Sequence, residues 1–400
     1  MAEVAEKKVV VKQPSLRFPD FNGKIRIDNL GKYIDVISGY PFKGEDISEI
    51  NNGIPLLRGI NITEGFIRHN ADIDRYYNKS INGLEKYLLE TGDVVLGMDG
   101  SKVGKNVSII QSKDAGSLLV QRIARIRPKA NCDIKFVYQQ IYSTKFHRYV
   151  DKVNTSSGIP HISLKQIKEF KIAFPEIKEQ QKIASFLSAI DIRIDLLEQK
   201  KAKLEEYKKG IMQKIFSQEI RFKDEDGKEY PVWNKKKLRD ILTYEQPTKY
   251  LVESTEYDNG FETPVLTAGK TFILGYTDET EGIFTKLPVI IFDDFTTAFK
   301  YVDFPFKAKS SAMKMLIPNS NEVNIKFVFE AMGRIKFPLA EHKRYWISEF
   351  QHMKIPYPCI EEQSKIATFL TSIDRKIALV QKQIDGSNQF KKGLLQQMFV

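Results

Sequence analysis

Two cysteines, Cys132 and Cys359, stand far apart in the 400 residues of the chain. That scarcity excludes a disulfide framework and a Cys-x-x-Cys metal site, and it points to a reducing cytoplasm. No run of 18 apolar residues occurs, and the opening Met1-Ala-Glu-Val-Ala-Glu-Lys-Lys-Val9 has no signal-peptide core. The expectation is therefore a soluble, cytoplasmic protein with a frayed polar tail and no membrane partner. Histidine is scarce as well: His69, His147, His161, His342 and His352 fall at no metal-ligand spacing, so no metal site is expected.

Catalytic motifs are missing too. Gly97-Met-Asp-Gly-Ser-Lys-Val-Gly-Lys-Asn106 has the look of a phosphate loop. Asp99, however, stands where such a loop needs its first glycine, and Asn106 where a hydroxyl would meet magnesium. A hairpin between two strands is the plain reading, with a basic turn facing DNA as its functional form. Asp293-Asp294 has no Glu-x-Lys on an adjoining strand pattern to complete a metal nuclease, and Glu176-Ile-Lys178 opens a helix instead. There is no Gly-x-Ser-x-Gly elbow. The string closest to a base-methyltransferase tetrapeptide, Asp303-Phe-Pro-Phe306, carries phenylalanine for its first proline. The chain reads as non-catalytic, with no cofactor of its own.

What is present in excess is positive charge. Lysine and arginine total 62 against 51 acids, a net +11 with a pI near 9.2. Such a balance favours a polyanion, because basic side chains displace counterions from phosphates. The length suits two domains of about 150 residues with connections.

A repeat is present as well. Pro175-Glu-Ile-Lys-Glu-Gln-Gln-Lys-Ile-Ala-Ser-Phe-Leu-Ser-Ala-Ile-Asp191 returns as Pro358-Cys-Ile-Glu-Glu-Gln-Ser-Lys-Ile-Ala-Thr-Phe-Leu-Thr-Ser-Ile-Asp374, a shift of 183 residues. The shift holds without a gap as far as Lys208-Lys-Gly and Lys391-Lys-Gly. Steps of four and three link Ile183, Leu187, Ile190, Ile194 and Leu197, and again Ile366, Leu370, Ile373, Ile377 and Val380. That is the seam of a coiled coil, and it predicts two helices of about 60 Å each. The two stripes are expected to pack on each other within the chain; homodimeric zipping is the alternative. Lys208 and Lys391 occupy equivalent seam positions, where polar residues cost stability and fix register. Asp385-Gly-Ser387 should weaken or bend the second helix.

The segments ahead of these helices read as mixed α/β. Strand candidates are 93–96, 106–110, 119–127, 289–292 and 313–317, and Ile134-Lys-Phe-Val-Tyr138 and Ile325-Lys-Phe-Val-Phe329 each begin a short helix. The fold class is α+β, ordered as a tail 1–15, a globule 16–175, a helix 176–216, a globule 217–357 and a helix 358–400.

From residue 16 onward the chain resembles the DNA-specificity subunit of type I restriction–modification enzymes. The resemblance rests on Ser157-Gly-Ile-Pro-His-Ile162, Ile172-Ala-Phe-Pro175 and the Glu-Gln-x-Lys-Ile-Ala elements of residues 179–184 and 362–367. Leu16-Arg-Phe18 and Ile220-Arg-Phe222 add to it. It implies two target-recognition domains, each reading half of a bipartite double-stranded DNA target. Two spacer helices, paired antiparallel with pseudo-twofold symmetry, would set the spacing between the halves. It also implies two modification subunits that use S-adenosylmethionine, and restriction subunits that use ATP and Mg. The alternatives are a stand-alone DNA-modifying enzyme and a helical scaffold unrelated to DNA. Base readout needs Arg, Lys, Asn or hydroxyl groups on exposed loops. The candidates are Arg58, Asn61, Lys102, Lys105, Thr155 and Ser156 in the first globule. In the second they are Thr267, Lys270, Thr296, Thr297, Lys300, Lys343 and Arg344.

Overall fold

A computed structural model describes residues 13–154, 159–269, 271–338 and 344–399; the frayed tail expected at the N-terminus lies outside this range. The chain divides into two compact units. The first comprises Met1–Gln199 with Gln381–Val400, and the second Lys200–Val380. Each unit thus takes one globule and a part of both long helices, Ile177–Phe216 and Ile360–Met398.

Both units are built on one plan. The central antiparallel sheet of the first runs Ile34–Ser38, Ile123–Pro128, Val94–Gly97, Val107–Ile109. In the second the order is Leu242–Glu245, Met313–Pro318, Val289–Asp293, Phe299–Val302. Each has a further sheet with one parallel pair, Leu56 beside Leu118 and Val265 beside Lys307. Each also has a two-stranded ribbon leading to a long helix, Arg26–Asn29 with Lys171–Phe174 and Asn234–Lys237 with Lys354–Tyr357. The 97–106 segment is a hairpin turn, as its sequence suggests. The single strand expected over 119–127 is instead two, Leu118–Leu119 and Ile123–Pro128, because the chain turns at Arg122, whose φ is +65°.

The short helices predicted from Ile134 and Ile325 form as Ile134–Tyr142 and Ile325–Met332. Asp133 and Asn324 cap them, their side chains accepting from the Phe136 and Phe327 amides. A glutamine of each long helix joins this cap to the preceding proline. Gln180 accepts from the Asp133 amide and donates to the Pro175 carbonyl, both at 2.9 Å. Gln363 does the same with Asn324 and Pro358, also at 2.9 Å.

The predicted seam is the buried stripe. Ile183, Leu187, Ile366, Leu370, Ile373 and Val380 are buried, and Ile190, Ile194, Leu197 and Ile377 are half-buried. In the first unit the end of the second long helix packs Leu394, Leu395 and Met398 into one core with Ile183, Leu187, Val94 and Phe136. The seam lysines find acids across the pair: Lys391 Nζ lies 2.5 Å from Asp191, and Lys208 Nζ 2.7 Å from Asp374. The repeat relates these two ion pairs, since Asp191 corresponds to Asp374 and Lys208 to Lys391. Burial pushes the Lys391 ammonium pKa below its ordinary value although Asp191 opposes the shift. The second helix runs unbroken through Gly386, which is exposed.

An arginine clamps the start of each long helix. Arg17 meets buried Glu179 with two bonds of 2.7 Å, and Arg221 meets buried Glu362 at 3.2 and 2.7 Å. Trp233 Nε1 also donates to Glu362 at 2.8 Å. The chain entering each clamp hangs on the end of a helix. The Leu16 amide bonds Gln397 O at 3.1 Å, and the Ile220 amide bonds Lys214 O at 3.2 Å.

Candidate nucleic-acid interface

Three segments converge beyond the strand ends at one side of the first unit's central sheet: the hairpin after Val94–Gly97, the turn before Ile123–Pro128, and residues 160–162. The Met98 amide bonds Arg122 O at 2.9 Å, and the Ile162 amide bonds Met98 O at 2.9 Å. Gly100 N adds a bond of 3.0 Å to Pro160 O. Lys102 and Lys105 are exposed on this hairpin, and Lys102 Nζ lies 3.0 Å from Glu64. Segment 58–68 lies alongside, since the Gly65 amide bonds Val107 O at 2.9 Å and Ser108 Oγ bonds Thr63 O at 3.2 Å.

The second unit repeats this junction with other side chains. The Asp294 amide bonds Ala312 O at 3.1 Å, and the Tyr345 amide bonds Asp294 O at 2.8 Å. Strand register fixes the correspondence: Gly97 faces Ile123 as Asp293 faces Met313. Asp294 thus stands where the first unit has Met98, and Ala312 where it has Arg122. Thr296, Thr297 and Lys300 lie on this hairpin, with Arg344 at its side. Asp293-Asp294 is no metal pair here. Asp293 accepts from the Phe295 and Thr296 amides, which shapes the turn. Asp294 is buried, 3.1 Å from buried Lys314, and accepts from the Trp346 amide at 2.8 Å.

The structure brings Lys102 and Lys105 to one junction, and Thr296, Thr297, Lys300 and Arg344 to the other. Thr155, Ser156, Lys270 and Lys343 lie outside the described residues. Asn61 is a correction. It is 1% exposed, and its amide serves the fold by accepting from the Arg58 amide and donating to Arg68 O and Asp74 at 3.1 Å. A short polar side chain at a turn satisfies backbone groups as readily as it reads bases. Thr267 is committed in the same way, its hydroxyl donating to Thr271 O at 2.7 Å and accepting from the Gly269 amide. Arg58 is half-buried, with Nη1 3.4 Å from Ile73 O. Sequence reasoning missed Asp99, Arg122 and His161, which meet at the first junction: Arg122 Nη1 lies 3.1 Å from Asp99 Oδ2, and His161 Nδ1 bonds the other carboxylate oxygen. The dense turn punctuation of Gly97, Gly100 and Gly104 pointed to that hairpin, and the 157–162 string marked the segment of His161, but nothing pointed to Arg122 or to their meeting.

Among the described residues no group of three His, Cys, Asp or Glu side chains is placed to hold a metal, and no helix is long and apolar enough to cross a membrane. The junctions present cations and hydrogen-bond donors. These are groups for phosphates and base edges.

Comparison with known proteins also finds the chain twofold. The type I restriction modification DNA specificity domain matches twice, over residues 25–206 and 231–386. The EcoR124I/EcoR124II specificity subunit of Escherichia coli is 52% identical over 143 residues, covering 34% of this chain and 35% of that protein, about a third of its length. A Methanocaldococcus jannaschii chain provisionally named the type I restriction enzyme MjaX specificity subunit is 27% identical over 349 residues, 78% of each chain. Among solved structures, the type I restriction–modification S subunit of M. genitalium superposes with a TM-score of 0.65 over 97% of this chain and 99% of that one, at 17% identity. With two matches that together span most of its length, the chain belongs to the type I restriction modification DNA specificity domain family.

Proposed function

We propose that the chain is the DNA-specificity subunit of a type I restriction–modification complex. Each unit reads one half of a two-part duplex target, and the long helices set the distance between the halves. The observation that carries this reading is the pair of junctions: two corresponding backbone hydrogen bonds tie the same strands and loops together, and present Asp99, Arg122 and His161 in one unit and Phe295, Ala312 and Arg344 in the other. A shared frame with different exposed groups suits two readers of different sequences. The long helices leave apolar side chains uncovered at Ile192, Leu196 and Leu379. Leu196 and Leu379 are repeat equivalents, which fits one modification subunit docked on each unit. Methylation with S-adenosylmethionine, and cleavage driven by ATP and Mg, belong to partner subunits.

The test uses the chain purified with and without its modification subunits. The complex should bind duplex DNA with an affinity that falls steeply with salt, and should methylate it. The chain alone should transfer no methyl group. Methylation by the isolated chain would favour the stand-alone enzyme, and salt-insensitive or absent DNA binding by the complex would favour the scaffold.

A further inference from the structure

The geometry points to Arg122 as a guanine-reading residue of the first unit's half-site, with Asp99 as its positioning residue. The inference rests on the proposed function and assigns one base contact within it. Arg122 is a non-glycine residue at φ +65°. That conformation costs a side chain free energy, and such outliers gather where the surrounding structure holds a group for use. The holding groups are identifiable. The Arg122 carbonyl accepts from the Met98 amide at 2.9 Å, and its Nη1 lies 3.1 Å from Asp99 Oδ2. Asp99 is itself held by His161 on its other oxygen and by the backbone bridge between residues 99 and 161.

The guanidinium is nevertheless exposed, with 67% of the side chain open to solvent. Among the described residues only Nη1 has a partner, which leaves Nε and Nη2 as a fork. Two parallel donors are what the O6 and N7 acceptors of guanine require in the major groove. A carboxylate behind an arginine lowers its side-chain freedom before binding, so less entropy is lost on contact. Lys102 and Lys105 on the same hairpin supply cations for the flanking phosphates. The second unit has Ala312 at the place of Arg122 and exposed Phe295 at the place of Asp99, so its junction holds no arginine against a carboxylate; its arginine, Arg344, stands at the place of His161. The contact therefore belongs to one half-site only.

The test selects bound sequences from a randomised duplex library, using the full chain with its modification subunits. Wild type should return a two-part motif with guanine in the half read by the first unit. Arg122→Gly removes the fork and suits the positive φ, so the fold is retained. It should reduce preference for one guanine by about 5- to 100-fold and leave the other half and the spacing unchanged. Arg122→Lys should do the same while keeping the salt dependence of wild type, because charge is kept and the fork is lost. Asp99→Asn should lower preference at that same position by a smaller factor at unchanged thermal stability. Unchanged guanine preference in the Arg122 variants, a uniform loss over all sequences, or changes in both halves would overturn the assignment. A wild-type complex that returns no two-part motif would instead overturn the specificity reading on which it rests.

Discussion

At their junctions the two units share two backbone hydrogen bonds and differ in the side chains around them. Beneath the junction the first unit places Met98 and Ala124, both buried and apolar. At the corresponding places the second has Asp294 and Lys314, a buried ion pair, with the Lys314 ammonium 4.7 Å from the Tyr244 ring centroid. Strand order and two backbone bonds to the neighbouring loops are the same in both. The lesson is that backbone hydrogen bonds fix this frame, so that both the core beneath and the rim above can change chemistry independently. A scaffold with that property can carry two different readers.

The sharpest way to break the comparison is to separate the partners of the buried pair. Asp294→Ala or Lys314→Ala strands one buried group and should cost about 3–5 kcal/mol in chemical denaturation. Giving the second unit the first unit's pair, Asp294→Met with Lys314→Ala, should cost clearly less than either single change. A double variant as unstable as the singles would show that the two junctions are not interchangeable frames.

The clamps come next. Glu179 is 1% exposed and Glu362 is fully buried, so each needs its arginine. Removing Arg17 leaves a buried carboxylate unpaired, at a cost of about 3 kcal/mol. Arg221→Ala leaves Glu362 the Trp233 indole at 2.8 Å, and should be milder by about 1 kcal/mol. Equal losses in denaturant titrations would contradict this account of Trp233.

The seam ion pairs should give the smallest effects. Lys391 is nearly buried, and burial outweighs Asp191 in setting the direction of its shift. Lys391→Met should therefore alter stability at neutral pH by less than about 1 kcal/mol in either direction. The folded pKa is lowered, so the unfolded chain holds this proton more tightly, and wild type gains stability as pH rises from the folded value toward the 10.5 of a free lysine. Stability of wild type relative to Lys391→Met should thus improve with rising pH in that window. The opposite slope, measured in parallel melts, would mean that the ion pair dominates burial.

Much of this architecture was legible in the sequence because long helices write their packing at fixed spacing. The 183-residue shift and the four-and-three stripe named both helices, their pairing and the lysines within the seam. The clamps were legible only as separate strings, Leu16-Arg-Phe18 and Ile220-Arg-Phe222 beside the repeated Glu179 and Glu362, and not as pairs. Arg17 and Glu179 are 162 residues apart, whereas Arg221 and Glu362 are 141 apart, so no fixed spacing marks them. The shared plan of the two globules was hidden for a similar reason: backbone bonds such as Met98 N to Arg122 O, or Asp294 N to Ala312 O, leave the side chains unconstrained. Asn61 and Thr267 were chosen for their polarity, and the fold uses that polarity to satisfy its own turns. Arg122 was missed because its positive φ and its partner Asp99 are properties of the folded chain.

The central claim, that each unit reads its own half of the target, is tested most directly by exchanging one reader. Residues 24–160 are replaced with the matching segment of another family member, with Arg17 kept, and methylated sites are mapped across a genome carrying the chimera and its modification subunits. The account predicts a new sequence in one half of the motif, with the other half and the spacing retained. A change in both halves, or in neither, would contradict it.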